Sequence, residues 1–260
     1  MIHIGAIAKN IITHSAEREA ICEKHGVYTS KLYMGRIWSK CGTCAAEEAK
    51  LHAEREAAEQ AEKDREKIAR MLGAADIPDR FKDRTLGSFD TTEPGQRQAL
   101  EFAEAFAAEF SGKHSGRCAV FFGNAGTGKT HLACGVALHI MRKYNRTAIF
   151  TSVSKMARRI REAKSFNASE TESSVILSYA MPHLLILDEV GLQSGTDAES
   201  RSMFDVINER YENRKPTLFL TNLDVPGFRA AIGERLFDRM KEDGGEVVAF
   251  TWSSRRCRNG

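Results

Sequence analysis

The segment Gly123-Asn124-Ala125-Gly126-Thr127-Gly128-Lys129-Thr130 limits what this chain can fold into more than any other feature. Its glycines let backbone N–H groups curl around phosphate oxygens, a lysine neutralises β- and γ-phosphate charge, and a hydroxyl ligates Mg²⁺. The loop follows a short apolar run, Cys118-Ala119-Val120-Phe121-Phe122, and precedes a helical stretch from Thr130 to Lys143. A helix starting there aims its positive end at the same anion. Gly123 to His131 are therefore expected to bind ATP, with Lys129 catalytic and Thr130 a magnesium ligand.

The rest of the C-terminal two-thirds alternates strand and helix. Residues 96–110 read as a helix, with Leu100, Phe102, Phe106 and Phe110 near one face. Further strands are expected at 147–151, 184–187, 217–221 and 247–250. Helices are expected from about Ser154 to Ala163, Glu199 to Asn213 and Arg229 to Met240. Continuous apolar β-rich runs between helices imply an α/β fold with a parallel sheet covered on both faces.

Acidic and polar residues follow these strands. Asp188 and Glu189 come some 58 residues beyond the loop, at the carboxyl edge of the expected sheet, where ligands of open α/β folds bind. Asp188 is placed to hold Mg²⁺ through water and Glu189 to polarise the attacking water. Asn222 ends the next strand, where its amide either orients that water or closes an Asx turn. In Gly233-Glu234-Arg235-Leu236-Phe237-Asp238-Arg239-Met240, the two arginines fall on one helical face. They could reach a neighbouring subunit's γ-phosphate or simply pair on a solvated helix.

Outside this core, three cysteines and a histidine fall close together as Cys22-x-x-His25 and Cys41-x-x-Cys44, with 15 residues between the pairs. Two chelating pairs match a tetrahedral structural Zn²⁺ site of three thiolates and one imidazole; the plainer reading leaves them unliganded. Tyr28, Tyr33 and Trp38 lie between the pairs as material for a small core. Cys118 and Cys134 read as buried hydrophobes, and Cys257 lies in a basic tail. Residues 45–72 are nearly all Ala, Glu, Lys, Arg and Gln, a helix composition with pairs such as Glu59/Lys63 and Glu66/Arg70. Gly73 ends this stretch. The expected division is a zinc-binding module at 1–44, a linker helix at 45–73 and a nucleotide-binding domain at 74–260.

Composition bounds the remaining classes. At 260 residues, 42% hydrophobic and 28% charged, the chain looks like a soluble protein with no apolar run of bilayer length. Its first residues lack a basic leader and a long apolar stretch, so a cytoplasmic location is expected. A net charge of +3 is too small to argue for nucleic acid, so local clustering must carry that case.

Residues from about 76 to 256 resemble the DnaC-type helicase loaders, AAA+ ATPases related to the initiator DnaA and the transposition helper IstB. The likeness rests on Ile77-Pro78-x-Arg80-Phe81, Gly126-Thr127-Gly128-Lys129-Thr130-His131-Leu132-Ala133, Leu187-Asp188-Glu189-Val190-Gly191, Leu220-Thr221-Asn222-Leu223, Gly233-Glu234-Arg235-x-x-Asp238-Arg239 and Phe250-x-Trp252. It implies an AAA+ core with Asn222 as sensor 1, Arg239 as an arginine finger acting in trans, and Arg256 as sensor 2. The chain stops at Gly260 without a full helical lid, and the zinc pairs depart from the better-known loaders. Phage and prophage replication proteins of this clade look closer in that respect.

The resemblance also frames Lys155, Arg158, Arg159, Arg161, Lys164 and Phe166. Relatives carry a helical insertion here that lines the pore of a spiral assembly. Five cations in ten residues and one aromatic could bind a phosphate backbone and stack a base, or form a solvated amphipathic helix with Met156 and Ile160 inward. The expected activity is ATP hydrolysis, used to load a replicative hexameric DNA helicase onto single-stranded DNA through self-association. The alternatives are an IstB-like helper of a transposase and a DNA-binding switch that holds ATP without turnover.

Overall fold

Successive strand residues point to opposite faces, and here both faces are apolar. In the computed structural model, which describes residues 14–112, 116–165, 168–192 and 197–254, the chain divides into two compact units, 1–66 and 67–260. The larger holds five parallel strands: β4 (Ala119–Gly123), β5 (Ala148–Ser152), β6 (Leu184–Asp188), β7 (Thr217–Thr221) and β8 (Glu246–Phe250). Their order across the sheet is β5-β6-β7-β4-β8. Phe121, Ile186, Leu218 and Leu220 enter one buried cluster, whereas Val120, Leu185, Leu187 and Phe219 enter another. This two-sided burial explains why the strands read as unbroken apolar runs.

Helices α2 (Pro94–Ala108) and α3 (Lys129–Tyr144) cover the first face through Ala103, Phe106, Leu132 and Val136. The second face is covered by α4 (Val153–Glu162), α5 (Glu172–Ala180), α6 (Asp197–Glu212), α7 (Val225–Ile232) and α8 (Glu234–Glu242). The expected helix from Arg229 to Met240 is two helices. Gly233 has φ 83°, a left-handed backbone that interrupts the ladder, so α7 and α8 run separately. Helix α5 was not foreseen, because its Ser-rich start hid a capping box in which Thr171 and Ser174 exchange hydrogen bonds. The aromatic series of α2 also stops short: Phe110 is fully buried, but in a 3₁₀ turn, Glu109–Ser111.

Arg210 of α6 is wholly buried beneath the sheet's amino edge. Its guanidinium donates to the carbonyls of Tyr179, Ala180, Pro182, His183 and Pro216 and to Thr217 Oγ1. Carbonyl dipoles thus replace water around a charge that has no carboxylate partner among these contacts. Burial pulls its pKa down to about 9, so it stays charged at neutral pH.

In the smaller unit, β1 (His14–Cys22) and β2 (Gly26–Tyr33) form an antiparallel hairpin, with the short β3 (Ile37–Trp38) beside β2. Tyr28 and Ser30 both donate to the Ser39 carbonyl, and the Arg18 guanidinium lies 4.2 Å from the centre of the Trp38 ring. Helix α1 spans Gly42–Ala74 and has no buried residue, as its alanine-rich, charged sequence leads one to expect. Beyond it, the Ala75 carbonyl accepts from the Phe150 N–H at 2.8 Å, satisfying a donor on edge strand β5. No helix among the described residues is long and apolar enough to cross a membrane.

Candidate nucleotide site and metal centre

Strand β4 delivers the loop at the carboxyl edge of the sheet, between β7 and β8. Gly123 has φ 129°, and a Cβ there would sit 2.3 Å from the Phe250 carbonyl oxygen, so only glycine lets the chain turn against β8. Gly128 has φ 97°, and its missing side chain leaves room for the Phe89 ring. Lys129 is nearly buried, and its ammonium donates to Gly123 O at 2.6 Å, Asn124 O at 2.8 Å and Asn222 Oδ1 at 2.8 Å. Neighbouring strands therefore bring Lys129 and Asn222 together. The turn after β7 is closed by Thr221, whose hydroxyl accepts from the Leu223 N–H.

The Thr130 hydroxyl donates to Asp188 Oδ2 at 3.2 Å, so two hard oxygen donors lie side by side at the head of α3. This pairing fits Mg²⁺, which takes a few protein oxygens and keeps several waters. Desolvation raises the Asp188 pKa, against the lowering effect of its hydrogen bonds from the Glu189 N–H and Thr130. Glu189 has φ 60°, which turns the chain sharply after β6 and leaves its side chain exposed. Thr130, Asp188, Glu189 and Asn222 all line one cavity of about 630 Å³. Ala125, Gly126, Gly128, Lys129 and His131 line it too, as do Pro78, Arg80, Phe81 and Arg84.

Several supports were not read from the sequence as such. Trp252 is buried, and its indole N–H donates to the Thr127 carbonyl at 2.9 Å, bracing the loop. Phe89 meets His131 edge-on at 5.4 Å, while His131 Nε2 lies 3.2 Å from Ser88 Oγ. Burial lowers the His131 pKa. A sequence gives little signal for these contacts, because Phe89 and Trp252 come from segments far from the loop.

The basic helix α4 divides its residues between surroundings. Met156 and Ile160 are buried, so its amphipathic character is structural. Arg159 is tied to Glu170 by a forked pair, and Lys164 to Glu172 at 2.7 Å. Arg158 and Arg161 are exposed, whereas Lys155 lines the nucleotide cavity. Arg239 donates to Asn208 Oδ1 and lies over the Tyr211 ring at 4.9 Å; Arg235 lies over Phe204 at 5.4 Å. Both arginines thus rest on α6. Phe166 and Arg256 lie outside the described residues.

In the smaller unit, Cys22 and His25 lie at the hairpin end and Cys41 and Cys44 at the start of α1, their ligand atoms all within 4.8 Å of one another. Backbone N–H groups of Lys24 and His25 hold the Cys22 thiol down to about pKa 6, and those of Cys44 and Thr43 lower Cys41. The Cys22 sulfur beside Cys44 pushes that thiol up to about 11. The donor set and its spacing fit zinc.

Fold and site define a P-loop ATP-binding protein of the AAA+ class. The chain belongs to the family of IstB-like ATP binding proteins, which its residues 48–250 match. It is 26% identical over 190 residues to the replicative helicase loader DnaC of Buchnera aphidicola subsp. Acyrthosiphon pisum, covering 73% of this chain and 76% of that one. It is 29% identical over 164 residues to DnaC of Escherichia coli K12, covering 63% and 65% respectively. Among solved structures, a DnaC helicase loader superposes with a TM-score of 0.59 at 22% identity over 66% of this chain and 99% of that one. The initiator DnaA bound to AMPPCP and single-stranded DNA gives 0.57 at 22% over 68% and 52%. At these identities the structural likeness shows the fold alone.

Proposed function

We propose that this protein is an ATP-hydrolysing loader of a replicative hexameric DNA helicase, acting on single-stranded DNA in the cytoplasm. The observation that carries the reading is the meeting of Lys129, Asn222, Thr130 and Asp188 at one sheet edge, in a chain homologous to DnaC loaders. In it, Lys129 leaves its carbonyl acceptors for the β- and γ-phosphates, and the loop amides of Gly123 to Thr130 cradle them. Thr130 and Asp188 would hold Mg²⁺, which would supply positive charge against that of the phosphates. Glu189 accepts the proton of the attacking water, and the Asn222 amide orients that water once Lys129 has released it. Phe81 and Arg80, which also line the cavity, pack against an adenine ring. Arg239 swings from Asn208 to complete a neighbouring subunit's site, and Arg256 contacts the nucleotide from the tail.

The functional division that goes with this is a zinc-binding module at 1–44, a linker helix at 45–73 and the ATPase domain at 74–260. The module and α1 dock the helicase, a role consistent with the exposure of Ile21, Val27, Met34 and Ile37. Arg158 and Arg161, with Phe166, track the DNA strand, while Arg159 and Lys164 are engaged by glutamates unless DNA displaces them. The family match also supports a second reading, an IstB-like helper that delivers DNA to a transposase. ATP turnover with and without single-stranded DNA, the helicase and the transposase of the same source separates the two. Stimulation by the helicase, lost in Lys129→Ala, supports the loader; stimulation by the transposase alone supports the helper.

A further inference from the structure

We infer that His25 binds the metal through Nδ1 and that Glu47, one turn into α1, is the positioning residue that turns the ring this way. The inference rests on reading Cys22, His25, Cys41 and Cys44 as a zinc site, and it adds a fifth residue that the motif spacing does not contain.

The three sulfurs gather around one imidazole nitrogen. Nδ1 lies 3.3 Å from Cys44 Sγ and 3.7 Å from the sulfurs of both Cys22 and Cys41. The Cys22 and Cys44 sulfurs are 3.5 Å apart. A tetrahedral zinc with ordinary Zn–S and Zn–N bonds separates its donors by about 3.5–3.8 Å. These separations already approach the edges of such a tetrahedron, and Nδ1 is its nitrogen corner.

The other ring nitrogen is directed elsewhere. His25 Nε2 lies 3.2 Å from Glu47 Oε1. A carboxylate accepts only, so Nε2 carries the proton and donates, which leaves the Nδ1 lone pair for the metal. The sequence arranges this simply. Cys44 and Glu47 are three apart on α1 and so share a helical face, with the thiolate toward the hairpin end and the carboxylate one turn beyond it. Backbone N–H groups of Lys24 and His25 face the Cys22 sulfur, and those of Thr43 and Cys44 face the Cys41 sulfur. An oriented imidazole with a carboxylate behind it is also a stronger base toward zinc.

The test uses the zinc-loaded full-length chain, with Glu47→Ala and Glu47→Gln beside wild type. Long-range ¹H–¹⁵N spectra of wild type are expected to show His25 protonated at Nε2 and metal-bound at Nδ1. Zinc transfer to a chelator is expected to speed up about 10–100-fold in Glu47→Ala. Glu47→Gln, whose amide oxygen still accepts, should recover most of that loss. The Co²⁺-substituted absorption should keep a three-thiolate, one-imidazole character in all three, showing that the four ligands are intact. Metal on Nε2, or equal zinc loss from wild type and Glu47→Ala, would overturn the inference while leaving the zinc site standing. Failure of wild type to take up either Zn²⁺ or Co²⁺ would remove the zinc site itself, and the inference with it.

Discussion

The Lys129 ammonium donates to Asn222 Oδ1 at 2.8 Å, tying the phosphate loop to the end of β7. In the proposed mechanism a triphosphate breaks this contact, because the same ammonium moves to the β- and γ-phosphates. Removing the amide therefore separates binding from chemistry. Asn222→Ala should hold ATP within about threefold of wild type while single-turnover hydrolysis falls about 100-fold, the scale of losing one polar group aimed at the reacting atoms. Lys129→Ala should lose both. Equilibrium titration with a fluorescent ATP analogue and rapid-quench hydrolysis distinguish the two outcomes.

Trp252 should report on the loop it supports. Its N–H bond to Thr127 O places an indole against the phosphate loop, and Trp38 in the smaller unit is the chain's other tryptophan. In a Trp38→Phe background, ATP should shift the Trp252 emission in a saturable way. Trp252→Phe removes the donor and should cost about 1 kcal/mol of stability, whereas Trp252→Ala opens a cavity and should cost about 3–5 kcal/mol. Urea unfolding midpoints measure both.

Arg210 is a structural residue rather than a spare cation. Its six acceptors lie between the end of α5 and the start of β6 and at the start of β7, so its loss orphans several buried carbonyls at once. Arg210→Met should destabilise the larger unit by about 3–5 kcal/mol. Arg210→Lys should rescue little, because one ammonium cannot span a guanidinium's fork of donors. Chemical denaturation of the two variants checks this.

Within α4, nucleotide and DNA effects should separate by residue. Lys155 lines the ATP cavity, so Lys155→Ala should weaken ATP about tenfold with little change in DNA affinity. Arg158→Ala with Arg161→Ala should leave ATP binding unchanged. It should also flatten the dependence of log K on log salt for single-stranded DNA by about 1.4, or about 0.7 per lost phosphate contact. Fluorescence anisotropy over a salt series measures both, and an unchanged slope would return the helix to a packing role.

The meeting of these residues at one sheet edge was legible because the proposed chemistry requires particular residues immediately after particular strands. Glycines, a lysine and a hydroxyl at fixed spacing, then Asp188 and Asn222 after apolar runs, left few folds that could bring them together. The structure does join them, through Lys129 to Asn222 and Thr130 to Asp188. Less legible was whatever depended on one backbone angle or on distant packing. Gly233 could have been tolerated inside a helix, and only its left-handed φ shows that α7 and α8 are separate. Trp252 against Thr127, and Lys155 facing the cavity from the basic stretch, depend on how the strands are ordered. The Cys/His spacing suggested a metal, but which imidazole nitrogen faces the sulfurs depends on Glu47, which lies outside the motif.

Deposition of a replicative helicase on single-stranded DNA coated with a single-strand binding protein tests the proposed loader role most directly. With ATP, the wild-type chain should allow the helicase of the same source to assemble on coated circles and unwind an annealed strand. Lys129→Ala and Arg239→Ala should each fail alone, and their mixture should recover part of the activity, because each supplies the half-site that the other lacks. Unwinding that is equally fast with no loader present or with Lys129→Ala would contradict the proposal.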